Sequence, residues 1–462
     1  MIRLLALASG ALTAASMVAS MPARAETADT APLRLTLPEA VDRGLARSEE
    51  IRLAREQVVR SETEITQVRS GALPQVTGSI RYDRTLRSIF DIETEVPNDI
   101  PGVDPFEDLP FGRPNTWVLG VQVNQALYTG GRVSSGLDIA ERVQRVSGYG
   151  LRETEAEIAR DVRQAYLQAL FTQSLVGIAE QSLEVATEQL ELVESFEARG
   201  TASEFDVLQA RVERDNIEPQ LVQAQNAQRL AELELKRLLN ISPERPLELD
   251  FGRAVTEVRV RDEEVLAAAL RRPAVRAARE QVHIREEAID LARAGRRPTV
   301  SAFANFSWQA FPDGLFPTGV PGGSAWREDW IVGVQASIPI FEGFRVTAEI
   351  DEAESEYRTA VYEERQLRKA ITMQAEAALS ELEGARAQIA ARRATVQEAE
   401  RALELAELRY ENGLARLIEL SNARLLLQQA RVNEVEARVT YLSALAAVDY
   451  ATGGALGLFE DT

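Results

Sequence analysis

Two stretches of this chain are too long and too regular to fit inside a globular core. From Ile158 the apolar or small residues fall at Val162, Ala165, Ala169, Thr172, Val176, Ala179, Leu183, Ala186, Leu190 and Val193, a 4-3-4-3 spacing that marks a coiled-coil seam. Most of these residues are Ala or Val, so a partner helix can approach closely. No proline interrupts Arg132 to Arg199, and one helix of roughly 65 residues reaches about 100 Å at 1.5 Å per residue. A core about 30 to 40 Å across cannot contain it.

The pattern occurs twice. The second seam reads Ile371, Ala375, Ala378, Leu382, Ala385, Ile389, Arg392, Val396, Ala399, Leu403, Ala406 and Tyr410, with one charged intruder. Gly120, Gly130, Arg132 and Gly200 match Gly333, Gly343, Arg345 and Gly413 at a constant offset of 213. Upstream the offset is 224: Ala54-Arg55-Glu56-Gln57-Val58 recurs as Ala278-Arg279-Glu280-Gln281-Val282, and Pro74 matches Pro298. The 11-residue difference falls between Pro74 and Gly120. A duplication on this scale predicts two similar halves in one elongated body, and not a many-repeat solenoid.

Residues 1–25 read as a secretory signal, with Arg3, an apolar run from Leu4 and a small-x-small end at Ala23-Arg24-Ala25. Removing them takes away two arginines and no acid, so the formal charge moves from -20 to -22. So acidic a chain is not built to hold nucleic acid by counterion release. The absence of cysteine excludes disulfides and a lipidated N-terminal cysteine. No later segment has the roughly 18 uninterrupted apolar residues of a membrane helix, so any crossing of a bilayer must use strands.

Such strands are present. Leu37 to Ala72 reads as helix and is followed by a strand with Val76, Gly78, Ile80 and Tyr82 on one face. Residues 84–116, with five prolines and an acidic cluster from Asp91 to Asp108, read as a loop. The next strand sets Trp117, Leu119, Val121, Val123, Gln125 and Leu127 against Val118, Gly120, Gln122, Asn124 and Ala126. Its copy sets Trp330, Val332, Val334, Ala336, Ile338 and Ile340 against Ile331, Gly333, Gln335, Ser337 and Pro339. A further strand puts Val300, Ala302, Ala304, Phe306 and Trp308 on one face. This alternation predicts a sheet between lipid and water.

All four tryptophans, Trp117, Trp308, Trp326 and Trp330, fall at the loop ends of the strands, while Tyr128 and Phe341 close the other ends. Trp117 to Tyr128 and Trp330 to Phe341 then span about 25 Å on a tilted strand, the height of a barrel's apolar band, so Trp117, Tyr128, Trp308, Trp330 and Phe341 are expected in aromatic girdles. Four strands cannot close, so the barrel must be shared between copies; twelve strands from three copies leave a bore, whereas eight are filled by side chains. The expected fold is mainly α with a small β part. Its order is a first repeat over 26–240, a connector at 241–262, a second repeat over 263–450 and a loose tail at 451–462. Pro219 is expected to bend the helix from Ser203 to about Asn240.

The strand-to-helix corners Leu127-Tyr128-Thr129-Gly130-Gly131-Arg132 and Ile340-Phe341-Glu342-Gly343-Phe344-Arg345, with the hairpin turns Arg199-Gly200-Thr201 and Asn412-Gly413-Leu414, carry a resemblance. Over essentially its full mature length the chain resembles the TolC-type family of bacterial outer-membrane exit ducts. That resemblance implies a homotrimer with a twelve-stranded barrel in outer-membrane lipid, continuous with a twelve-helix periplasmic tunnel. It implies a periplasmic adaptor, an inner-membrane pump of RND or ABC type, and passive export of drugs, toxic small molecules or secreted proteins. Gly200, Thr201, Gly413 and Leu414 would form the adaptor-docking tip. Asp206 and Glu419, each six residues past a tip glycine, would ring the closed mouth, with Tyr410 and Arg416 latching onto Asp206 of a neighbouring hairpin. Two departures stand out: the Gly-Thr and Gly-Leu turns are in reversed order, and Asn422 and Ala415 occupy positions where relatives carry an acid and an arginine.

A periplasmic coiled-coil scaffold or adaptor without a pore is the competing reading; it accounts for the heptads and leaves the strands without a role. An enzyme is not expected. The chain has no phosphate loop, nucleophile elbow or metal motif, no cofactor is implied, and the single histidine, His283, beside Glu286 and Glu287, reads as a solvated helix face.

Overall fold

The computed structural model describes residues 32–87, 113–250 and 258–459. The signal segment 1–25, the acidic cluster at 91–108 and the end of the tail lie outside the described residues. In chain order the elements are β1 (Leu33–Leu35), α1 (Leu37–Arg47), α2 (Glu49–Ser70), β2 (Gln75–Arg84), β3 (Asn115–Tyr128), α3 (Arg132–Glu197) and α4 (Glu204–Leu238). They continue with β4 (Leu247–Leu249), α5 (Asp262–Ala269), α6 (Pro273–Arg293), β5 (Thr299–Ala310), β6 (Arg327–Ser337), α7 (Arg345–Glu411) and α8 (Leu417–Ala451).

The duplicated heptad stretches are single helices of 66 and 67 residues, each returning through a 35-residue helix. Nine of the seam positions read in α3 are buried, among them Val162, Ala169, Ala179 and Val193. In α7 the seam is buried at Ile371, Ala375, Ala378, Leu382 and Ala385, loosens around the exposed Arg392, and is buried again at Ala399. A charged residue at a seam position cannot be desolvated without a partner, so the helix keeps its register there and gives up its burial.

Pro219 does not interrupt α4. The helix expected from Leu37 to Ala72 is split in two, and so is its counterpart in the second repeat. Ser48, buried between α1 and α2, turns the chain and its hydroxyl accepts the backbone N–H of Ile51 at 3.3 Å. Leu270 to Arg272 break α5 from α6 because Pro273 fits only the first turn of a new helix.

The main packing lies midway along the body. One cluster gathers Ile51, Val162, Tyr166, Leu235 and Leu239, and a second gathers Val265, Val275, Ala375, Tyr441 and Leu445. The connector contributes a strand of its own: Leu247–Leu249 pairs in parallel with Leu33–Leu35, a segment with no readable pattern in the sequence. Tyr166 of α3 fastens this pair. Its hydroxyl lies 2.7 Å from the Leu35 carbonyl oxygen and 2.8 Å from that of Asp250, and burial pushes its pKa up to about 12. The phenol therefore stays protonated, and its stabilising effect is present throughout neutral pH and lost only as pH rises through that value.

Candidate channel wall, corners and gate

The four long strands form one antiparallel sheet in the order β2-β3-β5-β6. Gln75 pairs with Asn124 in the first hairpin; adding the offsets 224 and 213 read from the sequence lands on Thr299 paired with Ser337 in the second, as observed. Between the hairpins Leu119 faces Trp308, Val121 faces Phe306 and Val123 faces Ala304. Residues directly opposite share a face, so the four apolar rows merge into one surface. It carries Val76, Ile80 and Tyr82, then Trp117, Leu119, Val121 and Val123, then Ala304, Phe306 and Trp308, then Trp330, Val332 and Val334. The opposite surface carries Gln75, Thr77, Gln122, Asn124, Ser301, Asn305 and Gln335, together with Phe303, which lies across Gly333. Among the described residues the outer edges of β2 and β6 have no partner strand.

The expected girdle is partly rearranged. Trp117 and Tyr128 are eleven residues apart, an odd number, so a regular strand would put them on opposite faces. A bulge at Leu127 shifts the register so that Tyr128 pairs with Val300, which returns it to the Trp117 face. Strand β6 ends at Ser337, because Pro339 has no N–H to continue the ladder, and Phe341 lies beyond the sheet in the corner. Trp308 donates its indole N–H to Glu328 at 3.3 Å, and Trp330 meets Phe306 edge-on at 5.2 Å. Trp326 is buried, unlike the other three.

Both strand-to-helix corners use two consecutive residues of positive φ. In the first these are Gly130 at 69° and Gly131 at 95°; in the second, Gly343 at 61° and Phe344 at 65°. Arg297 donates to the Gly130 carbonyl at 3.0 Å, and an added Cβ on Gly130 would sit 2.9 Å from Arg297 Cβ. Around Gly343 the space is open. Phe344, not singled out from the sequence, holds a left-handed conformation that costs a non-glycine residue about 1 to 2 kcal/mol, with its ring edge-on to Phe341 at 5.6 Å.

The far ends of the hairpins are closed alike. Gly200 and Gly413 have φ of 77° and 70°, the Thr201 N–H donates to the Phe196 carbonyl at 2.9 Å, and the Leu414 N–H to the Arg409 carbonyl at 2.7 Å. This is the glycine-terminated helix end. Leu414 is 71% exposed.

Both candidate gate acids also cap helices. The Asp206 carboxylate accepts the Ser203 N–H at 3.0 Å and the Ser203 hydroxyl at 2.7 Å. Those bonds, the hydroxyl first, hold its pKa below the usual carboxylate range, so its charge persists into mild acid and its cap is lost only as pH falls through that lowered value. Glu419 accepts the Arg416 N–H at 3.5 Å and lies 3.7 Å from the Arg409 guanidinium. Arg416 is exposed at this helix start.

Within one chain the fold brings Tyr410 into the field of Asp206. Tyr410 packs against Leu190, Val193, Ala210 and Leu417; this burial first, and the Asp206 charge second, raise its pKa. Sequence reading missed the polar contacts that hold α8 here. Arg424 donates to Gln189 of α3 at 3.2 Å and faces Glu407 of α7 at 3.9 Å, while the Ser421 hydroxyl donates to Glu213 of α4 at 2.6 Å. Glu213, Glu407, Ser421 and Arg424 themselves line a cleft of about 460 Å³ between the two hairpins, together with Val185, Val212, Asn216, Leu403 and Gln428. The only signal for these contacts was an arginine inside the apolar spacing of Leu417, Leu420 and Leu427. His283 sits on the exposed side of α6, 3.1 Å from Glu286, and among the described residues no cluster of metal-ligating side chains occurs. Among the same residues no helix is long and apolar enough to cross a membrane.

Comparison with known proteins agrees with this geometry. The outer-membrane efflux protein BepC of Brucella suis biovar 1 is 23% identical over 386 residues, 83% of this chain and 78% of that protein. The toluene efflux pump outer membrane protein TtgI of Pseudomonas putida is 28% identical over 235 residues, 47% of each chain. The outer-membrane channel OprN shares the fold with a TM-score of 0.74 at 21% identity, covering 90% of both chains. The profile of the family described as outer membrane efflux protein matches residues 40–240 and 266–454. With most of its length in that match, and with the duplicated hairpins and the single apolar sheet face described above, the chain belongs to the outer membrane efflux protein family, whose members are channels of the outer membrane.

Proposed function

We propose that this chain is the exit duct of a tripartite efflux or type I secretion system. Three copies would share a twelve-stranded barrel and a twelve-helix periplasmic tunnel, and the duct would conduct cargo passively. The observation that carries this reading is the sheet: one unbroken apolar face, one largely polar face and two edges unpaired among the described residues. In a bilayer each unpaired edge amide costs several kcal/mol, so the edges must meet other copies. In this arrangement the chain is ordered as a signal at 1–25, a first repeat at 26–240, a connector at 241–262, a second repeat at 263–450 and a tail at 451–462.

The duplication supplies the missing register. The β3–β5 pair Gln122–Asn305, carried through the two offsets, becomes Gln335 of β6 beside Arg81 of β2 in the next copy. In this cysteine-free chain, Gln335→Cys with Arg81→Cys is expected to give a disulfide-linked trimer on a non-reducing gel, and neither single variant should do so. A ladder limited to monomers would overturn the closure. In the same background Thr201→Cys and Leu414→Cys serve to capture the adaptor, which in turn would meet an inner-membrane pump of RND or ABC type. Cross-links confined to copies of the duct would remove the tip from that role.

At the mouth, Tyr410 and Arg416 would meet Asp206 of a neighbouring hairpin. Exposed pairs contribute roughly 0.2 to 1 kcal/mol each, about 1 to 3 kcal/mol for three copies, small enough for a docking partner to reverse. The Tyr410→Phe, Arg416→Ser double variant is expected to raise planar-bilayer conductance several-fold with cation preference retained. Unchanged conductance would leave Tyr410 a packing residue against Leu190 and Leu417.

A further inference from the structure

We infer that residues 312–316, the first turn of the β5–β6 connection, are an interfacial anchor folded onto the lipid side of the barrel. There they set Leu315 and Phe316 among outer-leaflet lipid at headgroup depth. This rests on the reading of the apolar sheet face as the lipid face.

The turn is held by side chains of β3 that belong to that face. Asn115, only 4% exposed, directs its amide N–H groups at the carbonyls of Pro312, Asp313 and Gly314, at 3.3, 3.1 and 3.0 Å. Its carbonyl oxygen accepts the Tyr82 hydroxyl at 2.8 Å. Two residues further along the same face, Trp117 donates its indole N–H to the Leu315 carbonyl at 2.9 Å. The Trp117 ring packs between Tyr82 at 5.0 Å and Phe316 at 5.8 Å.

Three N–H donors, two on the buried Asn115 amide shared among three carbonyls and one on the Trp117 indole, thus fix a turn whose tip is apolar. Leu315 is 52% exposed and Phe316 69%. Such ordering of exposed apolar groups is unfavourable in water and favourable at a bilayer interface, where aromatic rings and indole N–H groups sit at headgroup level. The charges fit as well: Arg113 lies 2.5 Å from Asp313, so the turn brings no unpaired acid to the surface.

The direction of folding separates an anchor from a plug. Asn115 and Trp117 lie on the side of Leu119 and Val121, opposite Gln122 and Asn124, so this turn leans away from the polar surface. Phe316 prolongs the aromatic row of Tyr82 and Trp117 on that side.

The test uses the full chain reconstituted in dioleoylphosphatidylcholine vesicles, with a nitroxide on a single introduced cysteine. Leu315→Cys is compared with Val334→Cys on the apolar face and Gln122→Cys on the polar face. Collisions with oxygen report lipid, and collisions with a water-soluble nickel chelate report water. The Leu315 label is expected to favour oxygen, as the Val334 label does, and Asn115→Asp is expected to raise its nickel collisions several-fold. That substitution keeps the volume and the acceptor for Tyr82 but loses the donor to the turn. A Leu315 label as open to nickel as Gln122, with Val334 shielded, would overturn the anchor and leave the lipid face standing. Nickel access at Val334 as well would overturn both. A Leu315 label unmoved by Asn115→Asp would remove Asn115 as the clasp.

Discussion

Replacing Glu153 with alanine is expected to destabilise the folded chain by about 3 to 5 kcal/mol, the cost of leaving one member of a buried ion pair alone. The partner is Arg272, 5% exposed at the turn before α6, with its guanidinium on the Glu153 carboxylate through two nitrogens. The same guanidinium donates to Gln374 at 3.0 Å and lies 4.0 Å over the Tyr450 ring, while the Ala274 N–H reaches Glu153 at 3.2 Å. One arginine therefore ties α3, α6, α7 and α8 together midway along the body. Heat or urea unfolding followed by helical circular dichroism measures the loss. Glu153→Gln, which keeps an acceptor, should cost less, and Arg272→Met with Glu153→Leu should recover much of the stability because an apolar pair leaves no buried charge. A Glu153→Ala protein as stable as the wild type would mean that water solvates the arginine and that the pair holds nothing.

The second large effect separates two glycines that look alike in the sequence. Gly130→Val is expected to cost about 3 to 5 kcal/mol, combining left-handed backbone strain with an overpacked corner. Its Cβ would meet Arg297 Cβ at 2.9 Å and the Ala294 carbonyl at 3.1 Å inside the same chain. A Cβ at Gly343 meets no atom within 4 Å, so Gly343→Val should carry mainly the strain, about 1 to 2 kcal/mol. Carried through the duplication into the proposed trimer, the neighbours of Gly343 would be Leu73 and Ser70 of another copy. Its variant should therefore yield a folded subunit that fails to associate, whereas Gly130→Val fails earlier. Yield of folded protein, and its size by light scattering in detergent, distinguish the two; equal behaviour would mean that the corners are not equivalent.

What was legible in the sequence is what repeats. The seams, the dyad strands and the positive-φ glycines are all periodic or duplicated, and the offsets 213 and 224 reproduce the hydrogen-bond register of both hairpins. What escaped reading breaks a period or spans a long distance. The bulge at Leu127 changes parity without changing composition, so strict alternation puts Tyr128 on the wrong face. The three-residue strand Leu33–Leu35 is too short to show alternation and exists only because Leu247–Leu249, more than 200 residues away, lies beside it. Spacing past the tip glycines singles out Asp206 and Glu419 as candidate gate acids, but both are also third-position caps, and Gln189, Arg424 and Glu213 come together only when α3, α4 and α8 are packed. A residue such as Arg272 carries no local signal at all, because its partners come from three other helices.

The uninterrupted length of α3 and α7 turns the body into a set of levers. From the level of Tyr166 to the tip turn each long helix runs without a hinge for about 30 residues, roughly 45 Å at 1.5 Å per residue. A tilt of about 5° at that fulcrum displaces the far end by roughly 4 Å, the width of a small hydrated ion's inner shell, and it breaks no backbone hydrogen bond. In the proposed duct the stiffness that sets the aperture would therefore reside where the rods are clamped, at Tyr166 and Arg272, and weakening a clamp would widen the far end without any change in the residues that line it.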